Sequence, residues 1–280
     1  TPITSMTSRE GRRSDRGLMW PPAAPVAIVA CLAVVAPAPG APAGPPRHAR
    51  DEAGPWRVLA PGLALAVFQA GKASTHGDSR IRVLRIDPKR YELRLMNASA
   101  PGQGRPLTAR EWCRRHGLVA AINASMYQTD LRTSVSLMRS RSHVNNPHLT
   151  KDRAVLAFDR LDGGVPPVQI IDRECQDFDA LKDRYGTLVQ SIRMISCAGK
   201  NAWSRQPRAW STAAIGMDRE GRVLFLHARS PYSTHDFIDI LLALPIGLKN
   251  AMYAEGGPEA QLYARGGGEE FEFVGSYETG

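Results

Sequence analysis

From Trp56 onward the chain is a succession of short apolar or alternating runs, most of them closed by Gly, Pro, Asn or Asp. That spacing points to sheet-rich folds. LALAVFQA (63–70), SRIRVLRID (79–87) and YELRLMNA (91–98) have strand lengths, and the turn sequence Asp87-Pro88-Lys89-Arg90 would join the last two as a hairpin. LVAAIN (118–123), AVLAFD (154–159), VQIID (168–172), TLVQSIRMI (187–195), AMYAE (251–255), QLYARG (261–266) and EFEFVG (270–275) continue the series. STAAIGMD and RVLFLHAR read as a β-hairpin tipped by Glu220-Gly221. Helical signals are fewer. In TAREWCRRHG (108–117), Thr108 and Glu111 form a capping box and Gly117 a stop. CQDFDALKDRYG (175–186) reads as a short helix, and THDFIDILLAL (234–244) places Phe237, Ile240, Leu241 and Leu244 on one face. The expectation is an α+β fold: a mixed, largely antiparallel twisted sheet flanked by a few helices, in a single domain over 51–280.

The first fifty residues have another character. Arg9, Arg12, Arg13 and Arg16 precede an apolar run (18–35), and PAPGAPAGPP (37–46) follows it. This order reads as a secretory signal peptide and linker over 1–50, so the expected location is periplasmic or extracellular. Pro21, Pro22 and Pro25 argue against a stable membrane span. IVAC (28–31) gives a minor alternative, lipid anchoring at Cys31. Without residues 1–50 the chain keeps 30 basic against 25 acidic residues, spread thinly, with no basic run interleaved with aromatics. Nucleic acid is therefore not an expected partner. In an oxidising compartment Cys175 and Cys197 are the expected disulfide, because both flank loops, whereas Cys113 lies in a helical pattern. Three pairings are open on sequence grounds. No CxxC or His-x-x-x-His spacing supports structural zinc.

The polar chemistry gathers where apolar runs end. In YAEGGPEAQLY (253–263) the carboxylate Glu255 stands at the end of a core run, followed by Gly256, Gly257 and Pro258. Glycine admits sharp turns and close approach, so the stretch is either a site on a rigid scaffold or an ordinary solvated turn. Asn123 closes LVAAIN, with Ser125 and Tyr127 beyond it; an Asn bonding its own backbone is the plainer reading. HARSPYSTHD (227–236) carries His227, Arg229, Ser233, His235 and Asp236. A helix cap accounts for Ser233 and Asp236 but not for His227 or Arg229. A Ser/His/Asp esterase site lacks the GxSxG elbow here. Gln190 and Arg193 are further candidates.

Four motifs in order resemble the phosphodiester glycosidase family over roughly 63–274. AINASMY (121–127) is similar to its N-x-G-F-F strand end, with Asn123 at the Asn; Gln190 echoes a Q-x-G-P strand; AIGMDREG (214–221) matches an A-I-G-x-D-x-x-G hairpin; and AEGGPEA (254–260) is similar to L-D-G-G-G-S. The chain departs from the family at Glu255, which stands for Asp, at Pro258-Glu259, at Ser125, and at Thr212 where the family has Arg. The resemblance implies an exported hydrolase of sugar-1-phosphodiesters in a cell-surface glycan, such as an exopolysaccharide. Glu255 would be nucleophile or base and Asn123 would orient the sugar. Tyr127, Gln190, Arg193, His227, Arg229, Gly256 and Gly257 would line the site. No cofactor is required; oxygen-rich loops are compatible with calcium, but no EF-hand spacing occurs. The alternative is a glycan-binding or envelope-assembly module that keeps the fold with a dead site.

Overall fold

The computed structural model describes residues 30–36 and 55–278. Its strands are β1 (Ala30–Val35), β2 (Trp56–Ala60), β3 (Leu63–Gln69), β4 (Arg80–Ile86), β5 (Glu92–Asn97), β6 (Ala120–Asn123), β7 (Met138–Arg139) and β8 (Val144–Asn146). β9 (Ala154–Arg160), β10 (Val168–Asp172), β11 (Tyr185–Ser191), β12 (Trp210–Asp218), β13 (Val223–Tyr232), β14 (Leu248–Gly256), β15 (Gln261–Gly266) and β16 (Glu269–Val274) follow. Helices α1 (Ala109–His116), α2 (Phe178–Leu181) and α3 (Thr234–Ala243) are short. Among the described residues the fold is mostly β, 46% strand and 12% helix.

The expected mixed sheet is replaced by three antiparallel ones, ordered β16-β15-β6-β1-β5, β10-β9-β11-β7-β8 and β14-β12-β13-β4-β3-β2. Residues 87–90 do turn, with the Arg90 and Tyr91 amides both donating to the Asp87 carbonyl at 3.0 Å. They do not close a hairpin. β4 is buried on both faces through Ile81, Val83, Leu84 and Ile86 and pairs with β3 and β13. β5 alternates exposed Glu92 with buried Leu93 and leaves for the first sheet, where it pairs with β1. An interior strand needs a hydrogen-bonding partner along each edge, and sequence neighbours need not supply them.

The main core lies among the three sheets, with Leu32, Ile122 and Leu262 from the first, Leu156 and Val189 from the second, and Leu84, Ile215 and Phe225 from the third. α3 covers the other face of the third sheet with Phe237, Ile238 and Leu241. Thr108 and Glu111 form the expected capping box on α1, which seats Trp112 and Cys113 against Ala121 and Tyr263. Burying a large apolar side chain contributes about 1.5–3 kcal/mol, so the anchors of each helix outweigh its short length. Cys175 and Cys197 are joined, tying the loop after β10 to the loop after β11. Cys113 is a buried thiol whose pKa burial pushes up.

Part of the segment read as an export leader is described. Ala30–Val35 lies between β5 and β6 with Ala30 to Val34 fully buried, and Cys31 pairs with Asn123. The rest of 1–50 falls outside the described residues. No helix among the described residues is long and apolar enough to cross a membrane.

Candidate active site

Glu255 sits at the C-terminal end of β14, opposite Ala213 of β12. The β12–β14 ladder shifts register between Ala213 and Ala214, and such irregularities re-aim side chains beside functional sites. The carboxylate accepts a hydrogen bond from the Gly256 amide at 3.0 Å. Burial pushes its pKa up to about 8; the Gly256 amide opposes that shift, and the negative charges of Glu259 and Glu278 add to it. At neutral pH this carboxyl group holds its proton.

Two bare backbone positions shape the space beyond it. A Cβ on Gly256 would collide with the Tyr253 hydroxyl and come within 2.7 Å of the Trp210 ring, so the strand end lies directly against those aromatics. Gly257 has φ +69° and opens a 3-10 turn, Gly257–Glu259. A Cβ there would meet the carboxylate oxygens of Glu259 at 3.3 Å and Glu278 at 3.4 Å. Glu278 arrives from the C-terminal segment. The Gly275 amide donates to the Ala260 carbonyl at 2.7 Å, the Ser276 and Tyr277 amides donate to the Ser211 hydroxyl, and Glu278 bridges to Trp210. Trp203 packs against Tyr253 with ring centroids 5.7 Å apart. Glu255 therefore ends a strand whose tip lies against Tyr253 and Trp210, with Trp203 packed on Tyr253.

Asn123 reaches the same turn. Its side-chain amide donates to the Glu259 carbonyl at 2.9 Å and accepts from the Gln261 amide at 2.7 Å, fully buried. It is therefore a clamp on the turn after Glu255. Gln190 is similarly committed, donating to the Thr150 and Asp152 carbonyls and accepting from the Thr150 and Leu137 amides. Arg193 pairs with Asp172 at 3.0 Å and Glu174 at 2.5 Å, so its charge is already met by two carboxylates. The Tyr127 hydroxyl donates to the Ala30 carbonyl and accepts from its amide. His227 is buried with Nε2 3.2 Å from the Ala260 carbonyl, and burial lowers its pKa to about 4. Arg229 is exposed, and its Nε donates to the Ser276 hydroxyl at 3.0 Å.

Of the expected set, Glu255, Gly256, Gly257 and Asn123 converge on one turn, and His227 supports its far side. Gln190, Arg193 and Tyr127 brace neighbouring loops, and Ser191 links them to the site by donating to the Tyr253 carbonyl at 2.5 Å. The sequence reading did not assign Tyr253, Trp203, Trp210 or Glu278 to the site. A cluster of Trp and Tyr near a Gly-rich turn is a signal for the first three; Glu278 has no local one. Among the described residues, two triplets of metal-ligating side chains occur, Asp172–Cys175–Cys197 and His235–Asp236–Asp239, and neither includes Glu255. The thiols of the first are spent in the disulfide.

The fold and site are those of a sheet-built domain with an acid at a strand end. A family profile for phosphodiester glycosidases matches residues 116–277, and the chain belongs to that family. Its structure is similar to the catalytic domain of zebrafish N-acetylglucosamine-1-phosphodiester alpha-N-acetylglucosaminidase, described as auto-inhibited by its pro-peptide. The TM-score is 0.55, the identity 12%, and 78% of each chain is covered. A hypothetical protein from Synechocystis is similar with TM-score 0.50 and 13% identity, over 81% of this chain and 63% of that one. At such identities the likeness is one of fold. No curated protein matches the chain.

Proposed function

We propose that the protein is an exported hydrolase that cleaves sugar-1-phosphodiester linkages in a cell-surface glycan. The observation that carries this reading is Glu255, a buried carboxyl group at the end of β14 beside Gly256, which lies against Tyr253 and Trp210; burial pushes its pKa up to about 8. Cleavage at an anomeric carbon needs a proton for the departing oxygen, and a carboxyl group with a raised pKa supplies it. Glu255 is thus assigned as the acid, in place of the nucleophile or base role its motif position implied. Asn123 positions the turn that carries it. Arg193 is spent on Asp172 and Glu174, so phosphate contact falls to the exposed Arg208 or Arg229. The family relationship and the likeness to an N-acetylglucosamine-1-phosphodiester enzyme support the choice of probes. These are the methyl and phenyl phosphodiesters of N-acetylglucosamine 1-phosphate, with release of free sugar as the readout. Glu255→Gln should lower turnover about 10²–10⁴-fold with unchanged circular dichroism. Equal turnover by wild type and variant would sink the assignment.

A second reading, a glycan-binding module without turnover, is favoured by one observation. Thr212, where the family carries Arg, is fully buried and brings no charge to the site. Retained glycan binding in Glu255→Ala, with no cleavage of either probe by the wild type, would select it.

A further inference from the structure

The site contains a second acid that the family motifs do not include. Glu278 lies just outside the family match and is carried to the site by the C-terminal segment along Trp210 and Ser211. Carboxylate oxygens of Glu259 and Glu278 lie 3.3 and 3.4 Å from the position a Cβ on Gly257 would take. Their charges both act on Glu255, so the three acids share one local field. Glu278 is half-exposed, with Arg208 at 3.7 Å. Gly257 itself is buried and adopts a left-handed φ, so a side chain there would be strained and would crowd both carboxylates.

Resting on the hydrolase reading above, we propose that Glu278 is the second catalytic carboxylate, the base that takes the proton from the attacking water. In the step, the water oxygen bonds to the anomeric carbon as the carbon–oxygen bond to phosphate breaks. Its electron pair leaves with the phosphate oxygen. Glu278 takes the proton from the water, and Glu255 gives its own to the departing phosphate. Atoms and charge balance, and no co-reactant beyond water is needed. Two carboxyl groups divided between acid and base roles are how many glycosidases act. Here the second comes from a part of the chain about twenty residues beyond the motif.

The test compares Glu278→Gln, Glu259→Gln and Glu255→Gln in the full chain on the phenyl and methyl phosphodiester probes. Glu278→Gln should lose about 10²–10⁴-fold in kcat with KM nearly unchanged. It should also abolish the acidic limb of the pH–rate profile, and in Glu278→Ala azide should restore release of the phosphate by standing in for the water. Glu255→Gln should instead abolish the basic limb, and its loss should be larger for the methyl ester, the poorer leaving group. An active wild type with Glu278→Gln within threefold of it overturns the assignment and leaves the hydrolase reading standing. Loss of the acidic limb in Glu259→Gln but not in Glu278→Gln also overturns it. A wild type inert on both probes overturns the hydrolase reading and this assignment with it.

Discussion

The side-chain amide of Asn123 bridges the backbone on both sides of Ala260, donating to Glu259 and accepting from Gln261. Two distant strand ends are thereby held as one unit. Asn123→Ala leaves a buried carbonyl and a buried amide unpaired, so it should cost about 2–4 kcal/mol in urea denaturation at pH 7, and turnover should fall with it. Asn123→Asp, which restores only the acceptor and adds a buried charge, should not recover the loss. A midpoint equal to wild type for either variant would contradict the clamp.

Glu255 makes the fold sensitive to base. Its pKa near 8 lies above the ordinary 4.5, so across that interval the folded protein holds a proton that the unfolded chain has released. Stability therefore falls as pH rises from about 4.5 to about 8 through this group, by a few kcal/mol at most. Glu255→Gln should flatten that slope and raise the melting temperature at pH 8. A variant that melts below wild type at pH 8 would remove the physical basis of the acid assignment.

His227 works in the opposite direction. Its pKa is depressed by burial to about 4 from the usual 6.5, so the unfolded chain takes up a proton first as pH falls. Stability is lost from about pH 6.5 down to about pH 4. His227→Gln should lower stability at pH 7, because the ring is fully buried, yet lose less than wild type between pH 7 and pH 5. Urea midpoints at the two pH values decide it.

Gly257→Ala tests the close approach of Glu259 and Glu278 to this turn. The left-handed φ and the two carboxylate oxygens both oppose a methyl group, at a cost of about 1–3 kcal/mol. Cleavage of the phosphodiester probes should drop more than stability does. A fully active Gly257→Ala would show that nothing needs that space.

The disulfide closes a sequence separation of 22 residues. Replacing both Cys175 and Cys197 by Ser should cost about 3 kcal/mol, read as a shift in the urea midpoint against the oxidised wild type.

Local chemistry was the legible part of this chain. Thr108 and Glu111 announced α1 and Glu220-Gly221 the β12–β13 hairpin, whereas the Cys175–Cys197 bond was the favoured one of three pairings that sequence left open. Sheet membership was not legible, because it depends on which distant strand covers a given face. β4 and β5 have the expected lengths and the expected turn, yet belong to different sheets. The two-residue β7 and three-residue β8 carry too few positions for alternation to register. In the site, Glu255 and its glycines stood out because a charge at the end of an apolar run is a local anomaly. Glu278 did not, since its proximity comes from a segment whose Ser276 and Tyr277 amides donate to the Ser211 hydroxyl.

Strand β1 has a consequence for maturation. Both its edges are laddered, to β5 and to β6, and Tyr127 fastens its first residue. A protease cut within 37–54 would leave β1 seated as a non-covalent insert. A cut that carried Ala30–Val35 away would split the first sheet, baring β6 beside Asn123 and loosening the anchorage on which the acid-bearing turn depends. Processing that spared Ala30–Val35 would leave the site assembled, whereas processing beyond it would leave the first sheet in need of another strand.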